Sequence, residues 1–270
     1  MSLFDLQGRV IVVTGALGQL GTQFCRALSA HGAKVAGLDL VEPESSRARD
    51  WLSATKADSG FVYVQGDVTS RDSLERAADA VSDKLGPVFG LINNAGLDSP
   101  PNAPIEENGP FESYPEQSWK RVLDVNLTGP MLCCQVFGGR MARAGKGSII
   151  NIGSIYGSLS PIQDIYAYRR QRGETFFKPV AYSASKSGLT NLTRYLATYW
   201  APHVRVNTLT LAGVAAGQER EFLEGYLARM PMRRMAEPDE YNGAVVFLMS
   251  DAARYMTGSN LLIDGGWSAW

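Results

Sequence analysis

Short runs of β-branched and aliphatic residues alternate along this chain with longer stretches in which apolar positions return every three or four residues. The first run is Val10-Ile11-Val12-Val13, and the helical segment after it begins at Gln19 and stops near His31-Gly32, a glycine ending. Runs at 34–39, 61–64, 88–92, 148–152, 204–209 and 261–263 repeat the theme, with helical patterns between most of them. Seven strands with helical crossovers predict a doubly wound, Rossmann-type α/β fold: a seven-stranded parallel sheet with helices on both faces, because right-handed crossovers place helices on alternate sides. At 270 residues such a chain is expected to form one domain, 1–270. Two stretches read as insertions, the proline-rich 98–115 and the polar, aromatic 156–179, and loops of that length in a compact domain tend to be functional or disordered.

Charge and cysteine content narrow the class of partner. The 26 basic and 27 acidic residues leave a formal charge of −1, with no sequence-wide footprint for nucleic acid or an anionic membrane, so a small-molecule partner is expected. Cys25, Cys133 and Cys134 form neither an even disulfide framework nor a metal-ligand spacing, so they read as reduced core residues and no metal site is expected. No apolar run approaches the ~18 residues that span a bilayer, and Asp5 stands where a secretory signal wants positive charge. The expectation is a soluble, cytoplasmic protein.

Candidate chemistry begins at Thr14-Gly15-Ala16-Leu17-Gly18-Gln19-Leu20-Gly21, directly after the first strand and at the start of the first helix. Glycines there permit positive φ and close backbone approach, and the helix N-terminus offers free N–H groups to a pyrophosphate. Gly15, Leu17, Gly18, Gln19, Leu20 and Gly21 are therefore candidate cofactor contacts. Asp39 closes the second strand 18 residues after Gly21, where a carboxylate can accept from both adenosine ribose hydroxyls and would repel a 2′-phosphate. No Arg or Lys sits in the glycine turn or immediately after Asp39, which favours NAD(H) over NADP(H). Farther on, Tyr182 and Lys186 lie one helical turn apart at the head of a segment with apolar Leu189, Leu192, Leu196 and Tyr199. An ammonium beside a phenol stabilises the phenolate and draws its pKa toward the working range for proton transfer.

Taken together, Thr14 to Gly21, Asp67-Val68, Asn93-Asn94-Ala95-Gly96, Val125-Asn126-Leu127, Ser154, Tyr182 with Lys186, and Asp264-Gly265-Gly266 make the chain resemble the short-chain dehydrogenase/reductase family over essentially its whole length. The resemblance implies an NAD-dependent oxidoreductase acting on an alcohol or ketone. Tyr182 would be its general acid or base, Ser154 would hold the substrate oxygen, and Lys186 would serve both the tyrosine and the nicotinamide ribose. Asn126 would anchor a water linking Lys186 to solvent, Asp67 and Val68 would hold the adenine, and Asn93, Ala95 and Gly96 would line the cofactor cleft. A homotetramer or dimer built on the helices around Asn126 and Lys186 is also implied. Among the family's branches the chain looks most like bacterial polyol and sugar-acid dehydrogenases and the oxidoreductases of surface-sugar assembly.

Three departures bear on that reading. Gly18-Gln19 stands where the single-domain branch has its second glycine at position 19, a spacing typical of the longer sugar-nucleotide-modifying branch. After the sixth strand, Leu211-Ala212 replaces Pro-Gly and Ala216 replaces a threonine, leaving the Val214 backbone as a candidate nicotinamide contact. Ser154 and Tyr182 are 28 residues apart, about twice the common separation, and the insertion between them holds Tyr156, Tyr166, Tyr168, Arg169, Arg170, Arg172 and Lys178. Its cations suggest a polar, anionic sugar or polyol derivative, with Tyr156, Arg169 and Arg170 as substrate contacts. The segment 215–235 falls where the family carries a substrate lid. Two rival readings remain at this point: a dehydratase or epimerase that uses NAD transiently, and an inactive NAD-binding regulatory protein.

Overall fold

The computed structural model describes residues 2–55, 60–98 and 107–270, so most of the first expected insertion, 99–106, lies outside the described residues. Seven strands form one sheet in the order β3-β2-β1-β4-β5-β6-β7. They are β1 (Val10–Thr14), β2 (Lys34–Asp39), β3 (Phe61–Gln65), β4 (Val88–Asn93), β5 (Gly147–Ser154), β6 (Val204–Leu211) and β7 (Asn260–Ile263), and every neighbouring pair runs parallel. All residues of β1 and β5 are buried, the consequence of helices covering both faces. Strand order reverses between β1 and β4. The carboxyl ends on either side of that switch open the crevice in which ligands of such sheets bind.

Ten α-helices in the described residues connect and cover the strands: α1 (Gln19–Ala30), α2 (Ser46–Thr55), α3 (Arg71–Leu85), α4 (Glu116–Leu123), α5 (Gly129–Cys133), α6 (Gly139–Arg143), α7 (Ala167–Gln171), α8 (Val180–Tyr199), α9 (Arg220–Leu227) and α10 (Asn242–Met249). On one face, Phe24, Cys25 and Leu28 of α1 pack with Val245, Leu248 and Met249 of α10. On the other, Leu74, Ala78 and Val81 of α3 meet Cys133, Phe137 and Met141. All three cysteines are free and buried, and burial pushes the Cys134 thiol up to about 12, which keeps it protonated and unreactive. Helices α4 to α6 are one continuous run interrupted by two π turns, Asp124–Thr128 and Cys134–Gly138.

The second expected insertion is an ordered satellite core. Tyr166 and Phe176 from the insertion pack with Tyr226, Met230, Met235 and Trp267, joining it to the segment expected as a lid. Ring contacts run across the junction: Tyr166–Phe222 at 5.6 Å, Phe222–Tyr226 at 5.4 Å and Tyr226–Trp267 at 4.4 Å between centroids. Strand boundaries exceed the expected ones by a residue or two, notably at β5 and β6, whose last residues, Ser154 and Leu211, reach the crevice. Among the described residues no helix is long and apolar enough to cross a membrane.

Candidate active site

The turn between β1 and α1 is built for close approach. Gly15 has φ +64°, and a Cβ there would fall 2.8 Å from Ala95 Cα, while one on Gly21 would fall 2.2 Å from Gly15 O. Gly18 forms the N-cap of α1 with no side-chain cap, so the first N–H groups of the helix point toward the crevice without an internal competitor. The displaced second glycine is accommodated by a tight turn in which Gly18 N donates to Gly15 O at 3.1 Å. Gln19 swings across instead, its Nε2 donating to Ala215 O at 2.7 Å and tying the glycine turn to the loop after β6. At the end of β2, Asp39 Oδ2 accepts from Leu17 N at 3.0 Å, which fixes its carboxylate beside the turn. Arg47 of α2 reaches the same corner, donating to Leu17 O at 2.9 Å.

The segment after β4 is pinned from two sides. Thr14 Oγ1 accepts from Asn94 N and Ala95 N, each at 3.0 Å, and Asn94 Nδ2 donates to Thr14 O at 2.9 Å. Asn126, buried in the first π turn, accepts from Leu97 N at 2.7 Å and donates to Leu97 O at 2.9 Å and to Ser185 Oγ at 3.2 Å. Its amide thus couples the cleft wall to α8. Gly96 lines the cleft as expected and Asn94 joins it, whereas the Asn93 side chain is buried on the sheet face, donating to Asn151 Oδ1 at 2.7 Å and to Cys134 Sγ at 3.4 Å. Asp67 sits past β3, one carboxylate oxygen accepting from Thr69 N and Oγ1 at 2.8 and 2.7 Å, and Val68 is buried against Gly129.

A cleft of about 750 Å³ opens above the switch point, lined by Leu20, Gly96, Ser154, Tyr182, Lys186 and Val214 among others. Ser154 ends β5 and Tyr182 lies in the first turn of α8, so one strand end and one helix start converge there. The Ser154 hydroxyl hydrogen-bonds Tyr182, and Lys186 Nζ donates to Ile152 O at 2.7 Å while lying 5.7 Å from the Tyr182 ring centroid. Burial dominates the electrostatics. It raises the Tyr182 phenol well above its ordinary range, with Asp98 adding to the rise and Ser154 opposing it, and it lowers Lys186 to about 8. The expected lowering of the phenol by Lys186 is therefore not the leading effect in this geometry. The Lys186 ammonium, committed to the Ile152 carbonyl and 5.7 Å from the ring centroid, does not offset that burial.

The residues present fit a dinucleotide. The cradle at Gly15 and Gly21 would be filled by any Cβ, the open end of α1 suits a pyrophosphate, Asp39 suits ribose hydroxyls, and Lys186 lines the same cleft beside Tyr182. Val214 also faces the cleft, its carbonyl accepting from Gln218 Nε2 at 2.7 Å.

The insertion's cations are neutralised locally. Arg169, nearly buried, pairs with Glu174 at 2.7 Å and Glu219 at 2.5 Å, and Arg172 bridges Glu219 and Glu221. Arg170 turns away from the cleft and donates to Gln163 O and Phe176 O, each at 3.2 Å. The four cations Arg169, Arg170, Arg172 and Lys178 face five carboxylates, Asp98, Asp164, Glu174, Glu219 and Glu221. The positive mouth expected from the sequence is absent from the described residues: Asp164 and Glu174 answer it from within the insertion, and Asp98, Glu219 and Glu221 come from segments distant in sequence. Tyr156 does line the cleft beside Ser154. Reading by sequence missed Asp98 and Lys178 as a pair within the cleft; the signal available was a lysine four residues before Tyr182, mirroring Lys186 four residues after it.

Residues 15–268 match a short-chain dehydrogenase family model described as enoyl-(acyl carrier protein) reductase. The cis-4-hydroxycyclohexanecarboxylate dehydrogenase of Sinomonas cyclohexanicum is 34% identical over 266 residues, covering 97% of each chain. The D-threitol dehydrogenase of Mycolicibacterium smegmatis is 34% identical over 272 residues, covering 98% of this chain and 95% of that one. A short-chain dehydrogenase from Leptospira borgpetersenii solved with bound NAD+ superposes with a TM-score of 0.81 at 30% identity, covering 98% of this chain and 95% of that one. A gluconate 5-dehydrogenase from Burkholderia cenocepacia, in complex with NADP and tartrate, shares the fold with a TM-score of 0.85 at 24% identity, covering 99% and 98% of the two chains. With the family match spanning nearly the whole sequence and relatives aligned end to end, this chain belongs to the short-chain dehydrogenase/reductase family.

Proposed function

We propose that this protein is an NAD(H)-dependent oxidoreductase that interconverts a secondary alcohol and a ketone on a neutral polyol or sugar alcohol. The observation that carries the proposal is the meeting of Ser154, Tyr182 and Lys186 in one cleft, beside a glycine cradle that excludes any Cβ. A bound nicotinamide would supply the hydride acceptor or donor at its C4. Ser154 Oγ would hold the substrate oxygen, and Tyr182 Oη would take the carbinol proton during oxidation or return it during reduction. Lys186 would steady the ribose and, when charged, favour the phenolate. Burial raises the phenol and lowers the lysine, so a charged ligand group or a nicotinamide in the cleft would be needed to bring the Tyr182 proton within working range.

Asp39 supports NAD(H), since a fixed carboxylate opposes a 2′-phosphate. The balanced charge around the cleft supports a neutral substrate, and a relative named for D-threitol supports the polyol class. Exposed Tyr195 and Tyr199, stacked at 5.8 Å on α8, support the homo-oligomer.

Tyr182→Phe tests the mechanism. Its kcat on D-threitol should fall by about 10²- to 10⁴-fold, while NADH binding followed by fluorescence stays within about threefold of wild type. Retained turnover removes Tyr182 from the chemistry. NADH should accumulate one for one with ketone, which distinguishes a dehydrogenase from a transient user of the nucleotide, and a higher kcat/KM with NADP would overturn the cofactor assignment.

A further inference from the structure

The cleft contains an ion pair that the proton-transfer chemistry does not use. Lys178 Nζ lies 2.5 Å from Asp98 Oδ1, with the lysine side chain only 8% exposed and the aspartate 53%. Both residues line the cleft, and the Lys178 ammonium stands 5.4 Å from the Tyr182 ring centroid, opposite in chain position to Lys186. Each partner is held by a rigid backbone. Asp98 follows Leu97, whose N–H and C=O are both engaged by the buried Asn126 amide. Lys178 is clamped in the same way by Gln163, which accepts from Lys178 N at 2.9 Å and donates to Lys178 O at 3.2 Å, and Pro179 then starts α8.

Desolvating an ammonium costs several kcal/mol, and a pair of this kind adds little to stability over an apolar alternative. Its placement beside the reacting centre suggests a use. Asp98 lines the cleft together with Tyr156, Tyr166 and Tyr182, and its charge adds to the rise of all three phenols. A substrate anion entering that space would have to displace Asp98 from Lys178 and then sit beside it. A hydroxyl meets both partners without disturbing them, because it donates to a carboxylate and accepts from an ammonium at once.

We propose that Asp98 and Lys178 form the specificity determinant for the hydroxyl next to the reacting carbon, so that the substrate is a vicinal diol within a polyol chain. This rests on Tyr182 serving the neighbouring carbinol, as set out above. Asp98 accepts from that hydroxyl, Lys178 donates to its oxygen, and the two together fix which carbon lies under Tyr182.

Initial rates with NAD on D-threitol, butane-2,3-diol and butan-2-ol test it, because the last lacks only the adjacent hydroxyl of the second. Wild type should favour the diol in kcat/KM, and Asp98→Asn and Lys178→Met should each shrink the diol-to-monoalcohol ratio by about tenfold or more. A ratio unchanged within twofold while both rates fall together would overturn the proposal, since the pair would then act on Tyr182 alone. So would a wild-type preference for cis-4-hydroxycyclohexanecarboxylate over threitol that Lys178→Met abolishes, which would make Lys178 an anion site. Failure of wild type on every alcohol with either nucleotide is a separate result, and it refutes the oxidoreductase reading together with this one. Melting temperatures identify a variant that fails to fold, and Asp98→Asn, at the more exposed partner, keeps the test alive if Lys178→Met does so.

Discussion

Replacing Lys186 with Met should make the protein's stability respond differently to pH. The lysine is buried and its ammonium is lowered from an ordinary 10.5 to about 8, chiefly by burial. At 1.36 kcal/mol per pH unit, that difference amounts to about 3 kcal/mol of stability forgone at neutral pH, where both folded and unfolded chains hold the proton. Between pH 8 and 10.5 the unfolded chain still holds a proton that the folded chain has shed, so this group's contribution to stability rises with pH across the window. Methionine has a stem of similar length and no charge. It loses the bond to Ile152 O, worth about 1.5–3 kcal/mol for a charged donor, but that loss mainly offsets the whole curve. Melting temperatures of wild type and Lys186→Met, measured without nucleotide at pH 7, 8, 9 and 10, isolate the effect because other titrating groups cancel in the difference. From pH 7 to 10 wild type should gain about 2.5 kcal/mol on the variant, or roughly 5–10 °C for a chain of this size. Two curves that stay parallel within a degree would refute a buried, discharged lysine.

Gly21→Ala should damage nucleotide binding directly. Its Cβ would fall 2.2 Å from Gly15 O and 2.9 Å from Ala16 Cα, both backbone atoms of the turn, so a Kd for NADH raised at least about tenfold by fluorescence titration is expected, with a stability loss of about 1–3 kcal/mol. Arg169→Met should unfasten the insertion from the segment ahead of α9, because Glu174 and Glu219 lose their shared cation; a fall of about 1–3 kcal/mol in unfolding free energy and a raised polyol KM are expected, and unchanged values would remove the latch.

Much of the fold was legible because its signals are local. Strand runs such as Val10 to Val13 are apolar without alternation, the pattern of a sheet covered on both faces, and most crossover helices carry their own periodicity. Tyr182, Lys186 and Ser154 were legible for a different reason, a family motif read in order. The charge of the cleft was not, because Arg169 draws Glu219 from a segment 50 residues away and Lys178 draws Asp98 from 80 residues away. Side chains that meet only through the fold leave no mark on spacing. Asn93 illustrates the same limit: the motif placed it at the cleft, but strand alternation turns its side chain to the covered sheet face, where Asn151 and Cys134 receive it.

The π turn at Asp124–Thr128 has a consequence for how the helical run Glu116–Arg143 tolerates change in length. A π turn holds one residue more than the α-turn it replaces, and this surplus aims Asn126 at Leu97 while Cys133, Phe137 and Met141 still reach the core. Removing a single residue there would let the stretch relax into ordinary helix with the turns on either side still in phase. Cys133, Phe137 and Met141 would keep their place in the core, and the aim of Asn126 at Leu97 is what would be lost. The bulge works as a phase adjuster between a site and a core that one regular helix could not serve together.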